Sequence, residues 1–132
     1  MNLDEITRLL RELLLGFNVH ERFIDELADI LRSSGIERSF FSKLAFCLRF
    51  LSLYGAQAVR HEEFESLGGG LFSMHVDGKG YNVRILYGFL RDQSPALLLA
   101  FFKRSGKGKT DYQSHIGPAA SRLERMNNCY VG

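Results

Sequence analysis

Three features of the sequence predict an α+β fold, with N-terminal helices packed on a small twisted antiparallel sheet and a helix at the C-terminus. Apolar residues recur at three- and four-residue spacing as far as Tyr54, short apolar and aromatic runs then fill residues 67 to 102, and helical spacing returns from about Asp111 to Met126. With 132 residues and 15.0 kDa the chain has room for one domain with one core. The expected organisation is a single unit over 1–132. Within it, 1–17 form an extra N-terminal helix or helix/strand, 18–66 a helical pair, 67–104 an antiparallel meander, and 105–132 a basic loop and C-terminal helix.

Leu3, Ile6, Leu9, Leu10, Leu13 and Leu14 lie behind an Asn2 cap with Glu5 three positions on, which predicts an amphipathic helix. The stretch ELLLGFN at 12–18 reads either as the end of that helix or as a short strand. Asn18 and Glu21 suit the start of a second helix, Phe23, Ile24, Leu27, Ala28 and Leu31 make its stripe, and Gly35 suits its exit. Ser39 opens a third, whose broad apolar face of Phe40, Phe41, Leu44, Cys47, Leu48, Leu51 and Tyr54 predicts deep burial. After the acidic segment of Glu62, Glu63 and Glu65, the runs LGGGLFSMHV, YNVRILYGF and PALLLAFF read as three antiparallel strands. The glycines at 68–70 suit a turn or bulge leading into the first of them. Pro118 lies inside the last helical pattern, where a helix starts, kinks or restarts.

Composition narrows the function classes. Hydrophobic content of 45%, charged content of 24% and two prolines describe a folded globular domain rather than a disordered one. Residues 1–66 carry 8 Lys/Arg and 11 Asp/Glu, a net of −3, whereas residues 67–132 carry 9 and 4, a net of +5. The second half therefore suits an anionic partner such as a phosphate backbone. The two cysteines, Cys47 and Cys129, make neither a metal-ligand spacing nor a disulfide framework, and Cys47 reads as a small core residue. Asp4 and Glu5 stand where a secretory signal needs basic charge, and Arg49 interrupts the longest apolar run, so a cytoplasmic protein is expected with no membrane partner.

Strand periodicity assigns faces to the hairpin. With DGKG at 77–80 as the turn, Val76 faces Tyr81, Met74 faces Val83 and Phe72 faces Ile85, all on one apolar side together with Tyr87. His75 then pairs with Asn82 and Ser73 with Arg84 on the other side, as a polar patch. Arg84, between Val83 and Ile85, must find water, a carboxylate or a bound anion. It is either an anion ligand or one half of a structural pair with an acidic residue of the first half. His75 is a proton-transfer candidate near neutral pH, or else a surface residue. Lys103, Arg104, Lys107 and Lys109 place four cations within seven residues after the third strand, which suits a polyanion or a solubilising loop. GKGKT at the end of that loop is not a nucleotide-binding P-loop, because the first required glycine would fall at Lys103. Tyr112 suits base stacking, proton transfer or packing on the sheet, and His115 is a weaker candidate on the same helical face. Metal-site spacing of His, Cys and carboxylates is lacking, and the second half has only four carboxylates, so neither metal nor other cofactor is expected.

The order of these features resembles the RelE/ParE superfamily of toxins from type II toxin–antitoxin modules, particularly its phage-derived RelE/HigB-like branch. The matching parts are the leucine-glycine-glycine lead-in at 67–69, the arginine in NVRILYGF, the apolar strand ending in FFKR, and an Ala-x-x-Arg helix. The resemblance implies a small α+β domain with a helical pair on a twisted sheet. It also implies an mRNA endoribonuclease that acts on the ribosome without metal, by attack of the ribose 2′-hydroxyl on the adjacent phosphate, and that a cognate antitoxin protein neutralises. By position, Arg84 would stabilise the phosphorane and Lys103 and Arg104 would line the RNA groove; beside these, Lys107 and Lys109 are expected to bind RNA backbone, and His75 and Tyr112 are the proton-transfer candidates. The sequence departs from many relatives at Ser73 and His75, where they carry a glutamate and an arginine, and in the loop SGKGKT. A non-catalytic, protein-binding member of the superfamily, of the gyrase-targeting kind or a degenerate prophage toxin, is the alternative.

Overall fold

A computed structural model describes residues 2–34, 37–103 and 109–129. The chain is α+β, with the N-terminal helices and the C-terminal helix that the sequence predicts. Helix α1 (Leu3–Leu13) begins at Asn2, whose side-chain oxygen accepts from the Glu5 amide at 2.9 Å while its amide group donates to the Glu5 carboxylate at 3.3 Å. Residues 14–17 turn, with Gly16 at φ +88°, into a two-residue strand β1 (Asn18–Val19). The 12–18 stretch is thus the end of a helix followed by a strand. Asn18 does not start a helix, because it pairs with a neighbouring strand, and α2 runs Phe23–Ser34. Helix α3 (Glu37–Tyr54) follows, opening two residues before Ser39, and a 3₁₀ turn (Gly55–Arg60) leads into the sheet. The expected helix exit at Gly35 lies outside the described residues.

Four strands follow: β2 (Phe64–Gly68), β3 (Leu71–Gly78), β4 (Tyr81–Phe89) and β5 (Pro95–Phe102). The sheet order is β1-β5-β4-β3-β2, with β1 parallel to β5 and every other pair antiparallel. The expected three-strand antiparallel meander is present within a mixed sheet of five. The acidic segment at the end of the expected 18–66 helical pair is not helical: Glu63 leads into edge strand β2, and Glu65 is part of it. Gly69 and Gly70, both at positive φ, make the two-residue turn into β3, and the pairing slips at Ser66/Gly68.

The β3–β4 register differs from the expected one by two residues. Asp77 pairs with Asn82 and Gly78 with Tyr81, so Lys79 and Gly80 alone form the loop, with Gly80 at φ +84°. The Tyr81 ring lies over Gly78, where any Cβ would collide with it, and that packing extends the ladder to the end of the strand. A slip of two keeps every side chain on its face. Met74, Val76, Tyr81, Val83, Ile85 and Tyr87 therefore join the core under α1, α2 and α3, while Ser73, His75 and Arg84 lie opposite. Arg84 stands across from His75 rather than Ser73.

The last helix, α4 (Lys109–Cys129), covers that opposite face and continues through Pro118, which is exposed. Its apolar residues Tyr112, Ile116, Ala119, Leu123 and Met126 pack on Leu71, Leu86, Leu98, Leu99 and Phe101. Leu86 pairs with Leu99 and Tyr87 with Leu97, so Leu98 is the extra residue of a bulge, and Leu98 and Leu99 both reach the α4 side. Gly88 lets the helix approach, since a Cβ there would meet Leu123 at 2.7 Å and the Gly70 carbonyl at 3.1 Å. In the Ala-x-x-Arg motif, Ala119 is fully buried and Arg122 reaches Glu26 of α2, with guanidinium-to-carboxylate distances of 2.7 and 2.5 Å. The same guanidinium donates to the Leu98 carbonyl at 2.8 Å, which satisfies the bulge. Among the described residues no helix is long and apolar enough to cross a membrane.

Because Arg122 and Glu26 join layers on opposite faces of the sheet, they should couple strongly. A double-mutant cycle of Arg122→Met and Glu26→Gln in urea unfolding should give a coupling of about 1–3 kcal/mol. Additive effects would show that α4 docks without this pair.

Candidate active site

The polar patch sits where β2, β3 and α4 meet. Ser73 and His75 project from alternate positions of β3, Glu65 projects from β2 opposite Ser73, and Tyr112 comes down from the first turns of α4. Oε1 of Glu65 accepts from the Tyr112 hydroxyl at 2.9 Å and lies 2.8 Å from Nε2 of His75. The Tyr112 oxygen is 3.0 Å from the Ser73 hydroxyl, which donates to it, and 3.3 Å from His75 Nε2. Four side chains from three elements thus share one hydrogen-bond network.

Protonation follows from the surroundings. Burial disfavours the charged form of Glu65, but the hydrogen bonds from Tyr112 and His75 outweigh it and hold the carboxyl below its usual value. Burial, and secondarily the positive Arg84, lower the pKa of His75 below 6.5 despite the neighbouring Glu65. Burial pushes the Tyr112 hydroxyl up to about 12. At neutral pH the network therefore holds a carboxylate, a neutral imidazole and a protonated phenol. With Nε2–H donated to Glu65, the neutral ring keeps Nδ1 bare as the proton acceptor.

Arg84 is only 6% exposed, and its guanidinium pairs with Asp77 and donates to the Val83 carbonyl at 3.2 Å. The sequence allowed for a carboxylate partner from the first half of the chain, but the partner belongs to the same hairpin. Asp77 extends β3 two residues beyond His75, on the same face and diagonal to Arg84. Nε of Arg84 is buried with no hydrogen-bond partner among the described residues. Lys103 follows β5, bonded through its amide to the Asn82 carbonyl at 2.7 Å, and its ammonium stands 5.9 Å from the centre of the Tyr112 ring. Arg104 and Lys107 lie outside the described residues, and of Lys109 only its place as the first residue of α4 is described.

Two hollows flank the network. A groove of about 530 Å³ separates Glu65, Ser66 and Leu67 of β2 from Tyr112, Gln113 and Ile116 of α4, and Lys103 also lines it. A second hollow of about 290 Å³ at the sheet edge is lined by His75, Asp77 and Glu63 together with Lys43, Phe46 and Cys47 of α3. Cys47 is buried and its thiol is pushed up to about 12 by desolvation, which suits a core residue and not a nucleophile. His115 lies flat on Phe101, with ring centres 4.0 Å apart, outside the network. Among the described residues no group of three or more His, Cys, Asp or Glu could hold a metal ion. Residue types and strand parity pointed to His75, Arg84, Lys103 and Tyr112. Those two criteria do not single out Glu65, although its place in FESLG, ahead of the glycine turn, is the signal that puts it on a strand. No protein-family model matches the chain, and no curated protein matches it in sequence.

The lowered pKa of His75 means that the unfolded chain binds that proton first as pH falls below 6.5, so folding loses stability there; Glu65 adds a further loss below 4.5. The urea midpoint should therefore drop as pH is lowered from about 7.5 to about 5.5, and His75→Asn should reduce that drop, with His20, also lowered by burial, contributing to it as well. A midpoint that stays level across this window would contradict the assigned protonation states.

Proposed function

We propose that this chain is the toxin component of a type II toxin–antitoxin system, a ribosome-dependent endoribonuclease that cleaves mRNA without a metal ion and is neutralised by a cognate antitoxin in the cytoplasm. The observation that carries this reading is the meeting of His75 and Tyr112 on one oxygen of Glu65, beside a groove that Lys103 lines. Support also comes from the ordered motifs of the second half and from its net charge of +5.

The proposed reaction uses each group as the geometry leaves it. Nδ1 of His75 takes the proton of a ribose 2′-hydroxyl, the 2′-oxygen bonds to the adjacent phosphorus, and the bond from phosphorus to the 5′-oxygen breaks. Tyr112 gives its proton to the departing oxygen, leaving a 2′,3′-cyclic phosphate and a 5′-hydroxyl. His75 Nε2, 3.3 Å from the Tyr112 oxygen, then gives its proton to that oxygen, and solvent exchange restores the starting tautomer. Glu65 orients the imidazole and the phenol. Lys103 offsets the charge that builds on the phosphorane from the groove side, and Arg84 does so from behind His75, as a fixed charge held by Asp77. Arg104, Lys107 and Lys109 hold the RNA backbone.

The ion pair between Arg84 and Asp77 favours a second reading, a non-catalytic superfamily member that binds a protein, because a paired arginine is not free to grip phosphate. The two readings separate in one assay. With ribosomes, mRNA and a chelator present, the protein should release fragments ending in 2′,3′-cyclic phosphate, and His75→Asn and Tyr112→Phe should each slow release by about 10²-fold. Intact mRNA, together with a protein partner bound equally well by Arg84→Ala and Lys103→Ala variants, would support the second reading.

A further inference from the structure

The large groove beside the network has features that proton transfer does not use. Leu67 on β2 and Ile116 on α4 give it apolar walls on both sides, and besides Tyr112 and Lys103 it carries the exposed Gln113 amide, the Ser66 hydroxyl and Glu65. Only Oε1 of Glu65 is engaged by His75 and Tyr112; Oε2 has no hydrogen-bond partner among the described residues, and the side chain is 44% exposed. Lys103 supplies a cation in the same groove. A volume of about 530 Å³ matches the usual size of a small-ligand site.

We propose that this groove is a nucleobase subsite that selects bases carrying an exocyclic amino group, with Oε2 of Glu65 as the acceptor that reads it. The base lies between Leu67 and Ile116, and Lys103 meets the phosphate of the same nucleotide. Cytosine, adenine and guanine each offer an amino group to a carboxylate. Uracil has a carbonyl oxygen at C4 where cytosine has its amino group and keeps only the N3–H beside it as a donor, so a base seated to give its C4 substituent to Oε2 would set that oxygen against a fixed negative charge. Because the two oxygens of Glu65 belong to one carboxylate, the group that reads the base also orients His75 and Tyr112. This inference rests on the nuclease reading only for the RNA source of the nucleotide.

Deoxycytidine and deoxyuridine 3′-monophosphates test it, since they are nearly isosteric and lack the 2′-hydroxyl, so binding is read without cleavage. In an NMR titration the cytosine nucleotide should bind about tenfold more tightly, with amide shifts concentrated at 65–67 and 112–116. Glu65→Gln, whose amide group can donate to uracil, should bring the ratio close to one. The ratio for the unaltered protein stands even where the variant fails to fold. Equal affinity for the two nucleotides, binding no tighter than inorganic phosphate, or shifts away from the groove would overturn the proposal. RNA cleavage with equal nucleotide affinities would overturn the subsite and leave the nuclease reading. Selective nucleotide binding without RNA cleavage would do the reverse.

Discussion

One carboxylate oxygen, Oε1 of Glu65, joins the edge strand, its neighbour and the C-terminal helix, and the chemistry of this face depends on it. Without that acceptor, the Tyr112 hydroxyl and His75 Nε2–H would lose a charged partner in a half-buried site, at a cost of about 1–3 kcal/mol for each unsatisfied group. The oxygen sets the tautomer of His75 and the aim of the phenol together. Because the three groups come from β2, β3 and α4, the network exists only when all three elements are docked.

Docking in turn depends on features at a distance from the network. Gly88 clears the path for Leu123, the bulge at Leu98 turns an additional leucine toward α4, and Arg122 fastens the helix through to Glu26 on the far side of the sheet. Ala119, with no side chain beyond Cβ, brings the helix axis close enough for Tyr112 to reach Glu65. Packing near the C-terminal half of α4 therefore positions a hydroxyl near its start. Arg84 contributes in another way. Buried and paired with Asp77, it is a permanent positive charge beside His75 that helps keep the ring neutral, and a neutral ring can accept a proton.

Much of this was legible in the sequence, for identifiable reasons. Period-two alternation placed Ser73, His75 and Arg84 on one face and Met74, Val76 and Ile85 on the other, and a register error of two residues did not disturb that assignment because it preserves parity. The Asn2 capping box and the leucine spacing behind it located α1. What escaped was non-local. Asn18 looks like a helix cap until β5 is present to pair with it, and Glu65 looks solvated until β3 and α4 bring His75 and Tyr112 to it. Neither partner lies within a helical turn of its residue, so local propensity carries no sign of either contact.

The protonation of His75 is the point on which the site's chemistry turns, and nitrogen-15 NMR of the imidazole at neutral pH measures it directly. A ring protonated at Nε2 and bare at Nδ1, reverting to mixed tautomers in Glu65→Ala, is the expected result. An imidazolium, or a ring protonated at Nδ1 with Nε2 bare, would contradict it, because the site would then have no proton acceptor held in place by Glu65.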